Sequence, residues 1–229
     1  MTCTYNRELV STNGGAPDPA GSGAPPRSGC EDAVVALDRV GIYCGSRLGD
    51  DPAYGHAAAV VGAALAAEGI GIVYGGGRVG LMGALADGAL AAGGRVIGVI
   101  PQSLVEAEIA HHGLTELYVV PTMHKRKELM ADLADGFVAL PGGVGTLDEL
   151  CEVITWAQLG IHGKPIVLHD VVGYWQPFVD LLDGAVRAGF VSPEHRSMVQ
   201  RTASVADLLV ALRHPPPVPT PKWVDRSDR

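Results

Sequence analysis

GIVYGGGRVGLMGALADGALAA, residues 71–92, decides the fold. An apolar run with β-branched residues (GIVY) enters a glycine turn (GGGRVG), and a small-residue helical stretch follows, over about 79–92. That is a strand feeding a helix. Two residues further on, RVIGVI (95–100) reads as the next strand, stopped by Pro101. Outward toward the N-terminus, RVGIYC (39–44) runs through GSRLG into an Ala-rich helix over 54–68. Toward the C-terminus, strands are expected at 116–120, 137–140 (FVAL) and 164–169 (KPIVLH). Helices are expected over about 122–134 and 146–159, and two or more further helices close the domain. Continuous apolar strands alternating with helices indicate an α/β protein with a parallel sheet covered on both faces. In such sheets ligands sit at the carboxyl ends of strands. Four glycine-rich or basic loops gather there: GSRLG, GGGRVG, the turn before MHKRK, and PGGVGT.

Composition narrows the function. The chain has 229 residues with 47% apolar and 18% charged side chains, enough for a sizeable core. With 17 basic against 25 acidic residues the net charge is −8, which speaks against nucleic-acid binding. The longest strongly apolar stretch, 57–67, falls short of the roughly 20 residues of a membrane span. No secretory signal is evident in MTCTYNRELV. The four cysteines, Cys3, Cys30, Cys44 and Cys151, show no metal-ligand spacing. A cytoplasmic protein is expected. Residues 1–36, dominated by Gly, Pro, Ala and Ser from 11 to 29, read as a disordered leader, 37–213 as the folded domain, and 214–229 (PPPVPTP onward) as a Pro-rich tail on which Trp223 could dock.

The loops carry the chemistry. Gly75, Gly77 and Gly80 match GxGxxG between a strand and a helix, a place where backbone N–H groups meet an anion. A dinucleotide site would want an acid at the end of the next strand, yet Ile100-Pro101-Gln102 stands there, so NAD is disfavoured. PGGVGT (141–146) lacks the GKS/T ending of a triphosphate loop and suits a monophosphate. Glu149 has two readings. Thr146-x-x-Glu149 fits a capping box, and the same position points a carboxylate into the strand-end crevice as a catalytic acid or base. Asp148, one residue away, should face elsewhere. Lys125, Arg126 and Lys127 crowd the first turn of a helix, where cations oppose the helix dipole and an anionic ligand would offset the cost. His111 and His112 lack further ligands at suitable spacing, so no metal site is expected. No GxSxG nucleophile elbow occurs.

GGGRVGLMG, MHKRK and LPGGVGTLDEL, in that order and followed by ITWAQLG (154–160), closely resemble the Lonely Guy family of cytokinin riboside 5′-monophosphate phosphoribohydrolases. The family patterns PGGxGTxxE and MxxRK fall on residues 141–149 and 123–127. Members are often labelled lysine decarboxylases, a label with no support from any pyridoxal-lysine motif here. The resemblance implies a Rossmann-like, doubly wound sheet and hydrolysis of cytokinin riboside 5′-monophosphates, with AMP accepted, to free base and ribose 5-phosphate. It implies Arg126 and Glu149 as catalytic residues. Substrate contacts would come from Ser46, Glu108, Lys127, Gly142, Gly143, Gly145, Thr146 and Thr155, with Gly76, Gly77 and Met82 lining the crevice. It also implies no cofactor and no metal, and a homodimer or higher oligomer, for which the helix with Cys151, Ile154 and Trp156 is the candidate contact. Two departures stand out: GSR where GSS is frequent, placing Arg47 where a hydroxyl is usual, and Asp148 for the more usual Glu. The alternative class is a non-catalytic nucleotide or molybdenum-cofactor binding protein, which has no chemical need for the Arg126–Glu149 pair.

Overall fold

A computed structural model describes residues 35–106 and 110–219. The leader expected at 1–36 falls almost wholly outside the described residues, as do Glu108 and Trp223. In chain order the elements are β1 (Arg39–Tyr43), α1 (Pro52–Ala67), β2 (Gly71–Tyr74), α2 (Gly80–Ala91) and β3 (Val96–Pro101). There follow α3 (Gln102–Glu106), β4 (Glu116–Val120), α4 (Met123–Leu133), β5 (Gly136–Ala139) and α5 (Val144–Gln158). The last are β6 (Ile166–His169), α6 (Gln176–Arg187), α7 (Pro193–Ser197), β7 (Val199–Thr202) and α8 (Val205–Arg213).

All seven strands are parallel, in the order β4-β3-β2-β1-β5-β6-β7. From β1 the chain first winds outward through β2, β3 and β4, then crosses back to add β5, β6 and β7 on the other side. The winding therefore reverses between β1 and β5, and a crevice opens beyond their carboxyl ends, the usual ligand position in such a sheet. β2, β5 and β6 are buried at every residue, as expected of strands covered on both faces. One core layer packs Val40, Ile42, Ile72 and Tyr74 of the sheet against Val61, Leu65, Leu85 and Leu208 of α1, α2 and α8. The opposite layer packs Tyr43, Val73, Phe137 and Leu168 against Met130, Leu150, Val153 and Val179 of α4, α5 and α6.

Close backbone approach explains the small-residue helices. A Cβ on Gly62 would lie 2.2 Å from the Leu85 carbonyl oxygen, and one on Gly88 would lie 2.3 Å from that of Ala59, so α1 and α2 touch backbone to backbone. Gly80 does the same for the loops: its φ is +63°, and a Cβ there would lie 2.3 Å from the Ser46 carbonyl carbon. Gly80→Ala is expected to cost about 3 kcal/mol, combining the left-handed backbone with an overlap against backbone that cannot yield. A urea midpoint lowered accordingly, with an unchanged m-value, would confirm this; an unchanged midpoint would contradict it.

Three elements differ from expectation. The strand β7 was not anticipated, because VQRT is a half-exposed edge strand whose polar residues carry no apolar run. The short α3 follows Pro101 directly and has no periodic signal. The helix expected from 146 begins at Val144, and that shift bears on Glu149.

Candidate active site

Three loops close over the β1–β5 junction. The Leu140 N–H donates to the Tyr43 carbonyl (2.9 Å), Gly45 N–H to Pro141 (3.0 Å) and Leu81 N–H to Gly45 (3.0 Å). These bonds tie the β1–α1, β2–α2 and β5–α5 loops into one rim. The crevice they enclose measures about 400 Å³ and is lined by Ser46, Arg47, Tyr54, Leu81, Gly142 and Tyr174, among others. Behind the GGG turn, the His111 N–H donates to the Gly76 carbonyl (2.9 Å) and Gly77 bridges Ala110.

Arg126 reaches this rim from α4, whose N-cap Thr122 accepts the Lys125 N–H (3.2 Å). Arg126 is buried, with 9% exposure, and its guanidinium lies across Gly75. A Cβ on Gly75 would stand 2.0 Å from Arg126 Nη2 and 3.3 Å from Met82 Sδ, so only glycine leaves the guanidinium its place. Nη2 contacts Glu149 Oε1 at 3.2 Å, Nη1 faces Met123 Sδ at 3.7 Å, and Nε is buried with no partner among the described residues.

Glu149 is itself buried, with 8% exposure. Burial pushes its carboxyl above the usual glutamate range, against the opposing pull of Arg126. Tyr43 and Cys44, buried beneath it, are pushed up in turn, first by burial and then by the Glu149 charge. Asp148 does face elsewhere, out toward α4, where it meets Lys127.

The capping box does not form. The helix begins two residues before Thr146, after Gly143 in an extended conformation (φ −86°, ψ −159°), and no side chain caps its first turn. Thr146 is thus inside the helix, and Glu149 binds Arg126 instead of the helix start. With two glycines preceding it, the chain enters α5 earlier than the Thr-x-x-Glu signature suggests.

Each of the three cations of MHKRK meets a carboxylate, which relieves the dipole conflict without a ligand. Lys125 pairs with Glu128 (2.7 Å) in solvent, and Arg126 pairs with Glu149. Lys127 bonds Asp148 (3.1 Å) and Glu152 (3.2 Å). Burial lowers the Lys127 ammonium, but those bonds outweigh it and hold its pKa above the ordinary value.

The remaining candidates separate into those that converge and one that does not. Ser46, Gly142 and Gly143 line the crevice, and Thr146 is buried beside it, its hydroxyl 2.1 Å from where a Gly142 Cβ would lie. Gly145 is exposed in the first turn of α5, and Met82 lies beside the guanidinium at Gly75, while Gly76 packs toward Ile100 and Leu117 and Gly77 bridges Ala110. Thr155 stands on the exposed face of α5 with its hydroxyl donated to the Cys151 carbonyl (2.7 Å), away from the pair. His111 bonds Asp87 (3.1 Å) and accepts the Gly113 N–H (3.0 Å). Among the described residues no three His, Cys, Asp or Glu side chains converge to hold a metal ion. No described helix is long and apolar enough to cross a membrane. Two neighbours escaped sequence reasoning. The role of Gly75 lies in a contact across the fold, and Tyr174 sits far along the chain in no motif.

A family profile described as "Possible lysine decarboxylase" matches residues 82–212. The cytokinin riboside 5′-monophosphate phosphoribohydrolase of Rhodococcoides fascians is 48% identical over 177 residues, spanning 77% of this chain and 89% of its own. The chain belongs to the cytokinin riboside 5′-monophosphate phosphoribohydrolase family. Two plant phosphoribohydrolases agree. The enzyme of Oryza sativa subsp. japonica is 45% identical over 76% of this chain and 72% of its own. That of Arabidopsis thaliana is 45% identical over 76% and 82%. These relatives are named for phosphoribohydrolase activity, whereas the profile speaks of lysine decarboxylation.

Solved structures show how widely the phosphoribohydrolase fold is shared. The molybdenum cofactor binding protein of Rippkaea orientalis superposes with a TM-score of 0.59 at 21% identity, over 76% of this chain and 94% of its own. The molybdenum cofactor carrier protein of Chlamydomonas reinhardtii gives 0.57 at 23% identity, over 77% and 96%. At such identity the likeness concerns the fold alone.

Proposed function

We propose that this chain hydrolyses the N-glycosidic bond of cytokinin riboside 5′-monophosphates, and of AMP, to free base and ribose 5-phosphate. One observation carries the reading: a buried arginine–glutamate pair, 3.2 Å apart, held between the Gly75 turn and α5, the helix whose uncapped start borders the β1–β5 crevice. A pure binder would gain nothing from burying a carboxylate whose pKa is thereby raised.

The 5′-phosphate docks on the free N–H groups at the start of α5, from Gly143, Gly145 and Thr146, with the hydroxyls of Ser46 and Thr146 alongside. Arg47 adds a cation at the rim. Glu149 follows further along the same helix and meets the ribose. As the C1′–N bond breaks, positive charge spreads over the sugar and negative charge over the departing base. The Glu149 carboxylate stabilises the first and takes a proton from the water that attacks C1′, and that proton then passes to the departing base, which leaves neutral. Arg126 keeps its proton and stabilises the second, its unpartnered Nε offering a donor. The phosphate is a handle and is not cleaved. Met82, Gly76 and Gly77 wall the crevice, and Lys127 and Glu108 complete the nucleotide contacts.

The face of α5 with Cys151, Thr155 and the half-buried Trp156 serves as the contact of a two-fold dimer, without Ile154, which is buried in the core, and this places Thr155 at a second subunit's site. Residues 37–213 form the catalytic domain, with the leader and tail outside it. The reaction draws on cytoplasmic nucleotides, so the protein works in that compartment.

AMP and adenosine, each with EDTA present, test the handle. Glu149, Arg126 and water account for every charge and proton in these steps, so EDTA leaves the AMP rate unchanged. Adenosine is expected to react at least about 100-fold more poorly. Adenosine turning over as fast as AMP would remove the phosphate from the account.

The pH profile tests Glu149. Its raised pKa means that protonation, and loss of the base, set in at a higher pH than for an ordinary glutamate. The acid limb of kcat/KM is therefore expected above the ordinary glutamate pKa of about 4.3. The stability contribution of Glu149 has the opposite trend. The folded state holds this proton more tightly than the unfolded chain, so that contribution is present below the ordinary pKa and is lost as pH rises through the raised one. An acid limb at or below the ordinary value would assign the base elsewhere.

A further inference from the structure

The Gly142–Gly143 peptide joins two glycines at the entrance to α5, so neither residue carries a Cβ to restrict its rotation. A trans peptide points its C=O and its N–H in opposite directions. Whatever holds the Gly142 carbonyl therefore aims the Gly143 N–H. In this structure the Tyr174 hydroxyl donates to that carbonyl.

Tyr174 arrives from the loop between β6 and α6, which is fastened from several sides. The Asp170 carboxylate accepts the Trp175 N–H (2.9 Å), the Trp175 indole N–H donates to the Ala139 carbonyl (3.2 Å), and Asp170 N–H donates to Thr202 (2.7 Å). The Tyr174 ring packs edge-on against Tyr54 (centroids 6.0 Å) and Trp175 (5.2 Å). Within the same loop Val172 has φ +47°, and it is the one described non-glycine residue with positive φ. A β-branched side chain in that region is strained and persists only where its surroundings impose the conformation. Here the imposed conformation presents Tyr174 to the glycine turn.

We infer that Tyr174 is a positioning residue for the phosphate turn, a latch that holds the Gly142 carbonyl away from the incoming anion and keeps the Gly143 N–H turned toward it. The inference rests on the proposed reading of that turn as the 5′-phosphate site. Tyr174 does not touch the reacting atoms. Its loss weakens phosphate binding and spares the chemistry of Glu149.

Tyr174→Phe tests this, since it removes one hydroxyl and leaves the ring packing. The variant is expected to raise KM for AMP and the Kd for ribose 5-phosphate together by about tenfold, with kcat within about twofold. The acid limb of the pH profile and the thermal midpoint stay at their wild-type positions. An unchanged Kd for ribose 5-phosphate would overturn the inference. So would a fall in thermal midpoint with kcat and KM both impaired, which marks a merely structural hydroxyl. Ribose 5-phosphate binding is read by calorimetry without turnover. A wild type that binds it but releases no base would therefore condemn the proposed reaction, while the affinity ratio of the two proteins still judges the latch.

Discussion

Glu149→Gln is expected to release base from AMP about 10³-fold more slowly than wild type, with ribose 5-phosphate affinity nearly unchanged. Glutamine keeps the shape and an oxygen for Arg126 Nη2, so the buried contact at 3.2 Å survives as a hydrogen bond. What it lacks is the negative charge to face the sugar cation and the basicity to take a proton from water. Both losses fall on the transition state, so the deficit belongs in kcat. Because burial already disfavours the Glu149 charge, the neutral amide is not expected to unfold the protein. A variant that keeps more than a tenth of wild-type kcat would return Glu149 to a structural role.

Gly75→Ala is expected to be nearly as damaging to activity while leaving the fold intact. The added methyl would lie 2.0 Å from Arg126 Nη2, an overlap that must be relieved. Gly75 is not in the left-handed region, and the obstructing atoms belong to the ends of two side chains, Arg126 and Met82. They can swing aside at small cost in stability. The guanidinium then leaves its place beside Glu149, and displacements of about 1 Å at such a site cost on the order of 10²-fold in rate. Enzyme assays beside a thermal melt would show a hundredfold lower kcat with a midpoint within a few degrees. Unimpaired turnover would show that the position of Arg126 against Gly75 is incidental.

Most of the sheet was legible in the sequence, for a physical reason. β2 and β4 occupy the expected residues, 71–74 and 116–120, because glycine, proline or polar turns bound each run sharply. β7 escaped because an edge strand half-exposed to water needs no apolar run. The start of α5 was misplaced because Thr146 and Glu149 mimic a cap, and only the tertiary pull of Arg126 decides between cap and pair. Both residues of the pair were singled out by their positions in the sequence and joined as a pair by the motif resemblance; their contact, the burial that raises the Glu149 carboxyl, and the Gly75 gap beneath Arg126 are properties of the tertiary packing of α4, α5 and the β2–α2 turn. Tyr174 had no signal at all. Its partner is a backbone carbonyl, and hydrogen bonds to backbone leave no pattern in side-chain identities.

The central claim is the reaction itself. Purified wild-type protein incubated with isopentenyladenosine 5′-monophosphate, with free base and ribose 5-phosphate quantified by chromatography, tests it most directly. The account predicts that the two products appear in equal amounts as the nucleotide disappears. Nucleotide that binds the protein yet remains uncleaved would contradict it and leave a carrier.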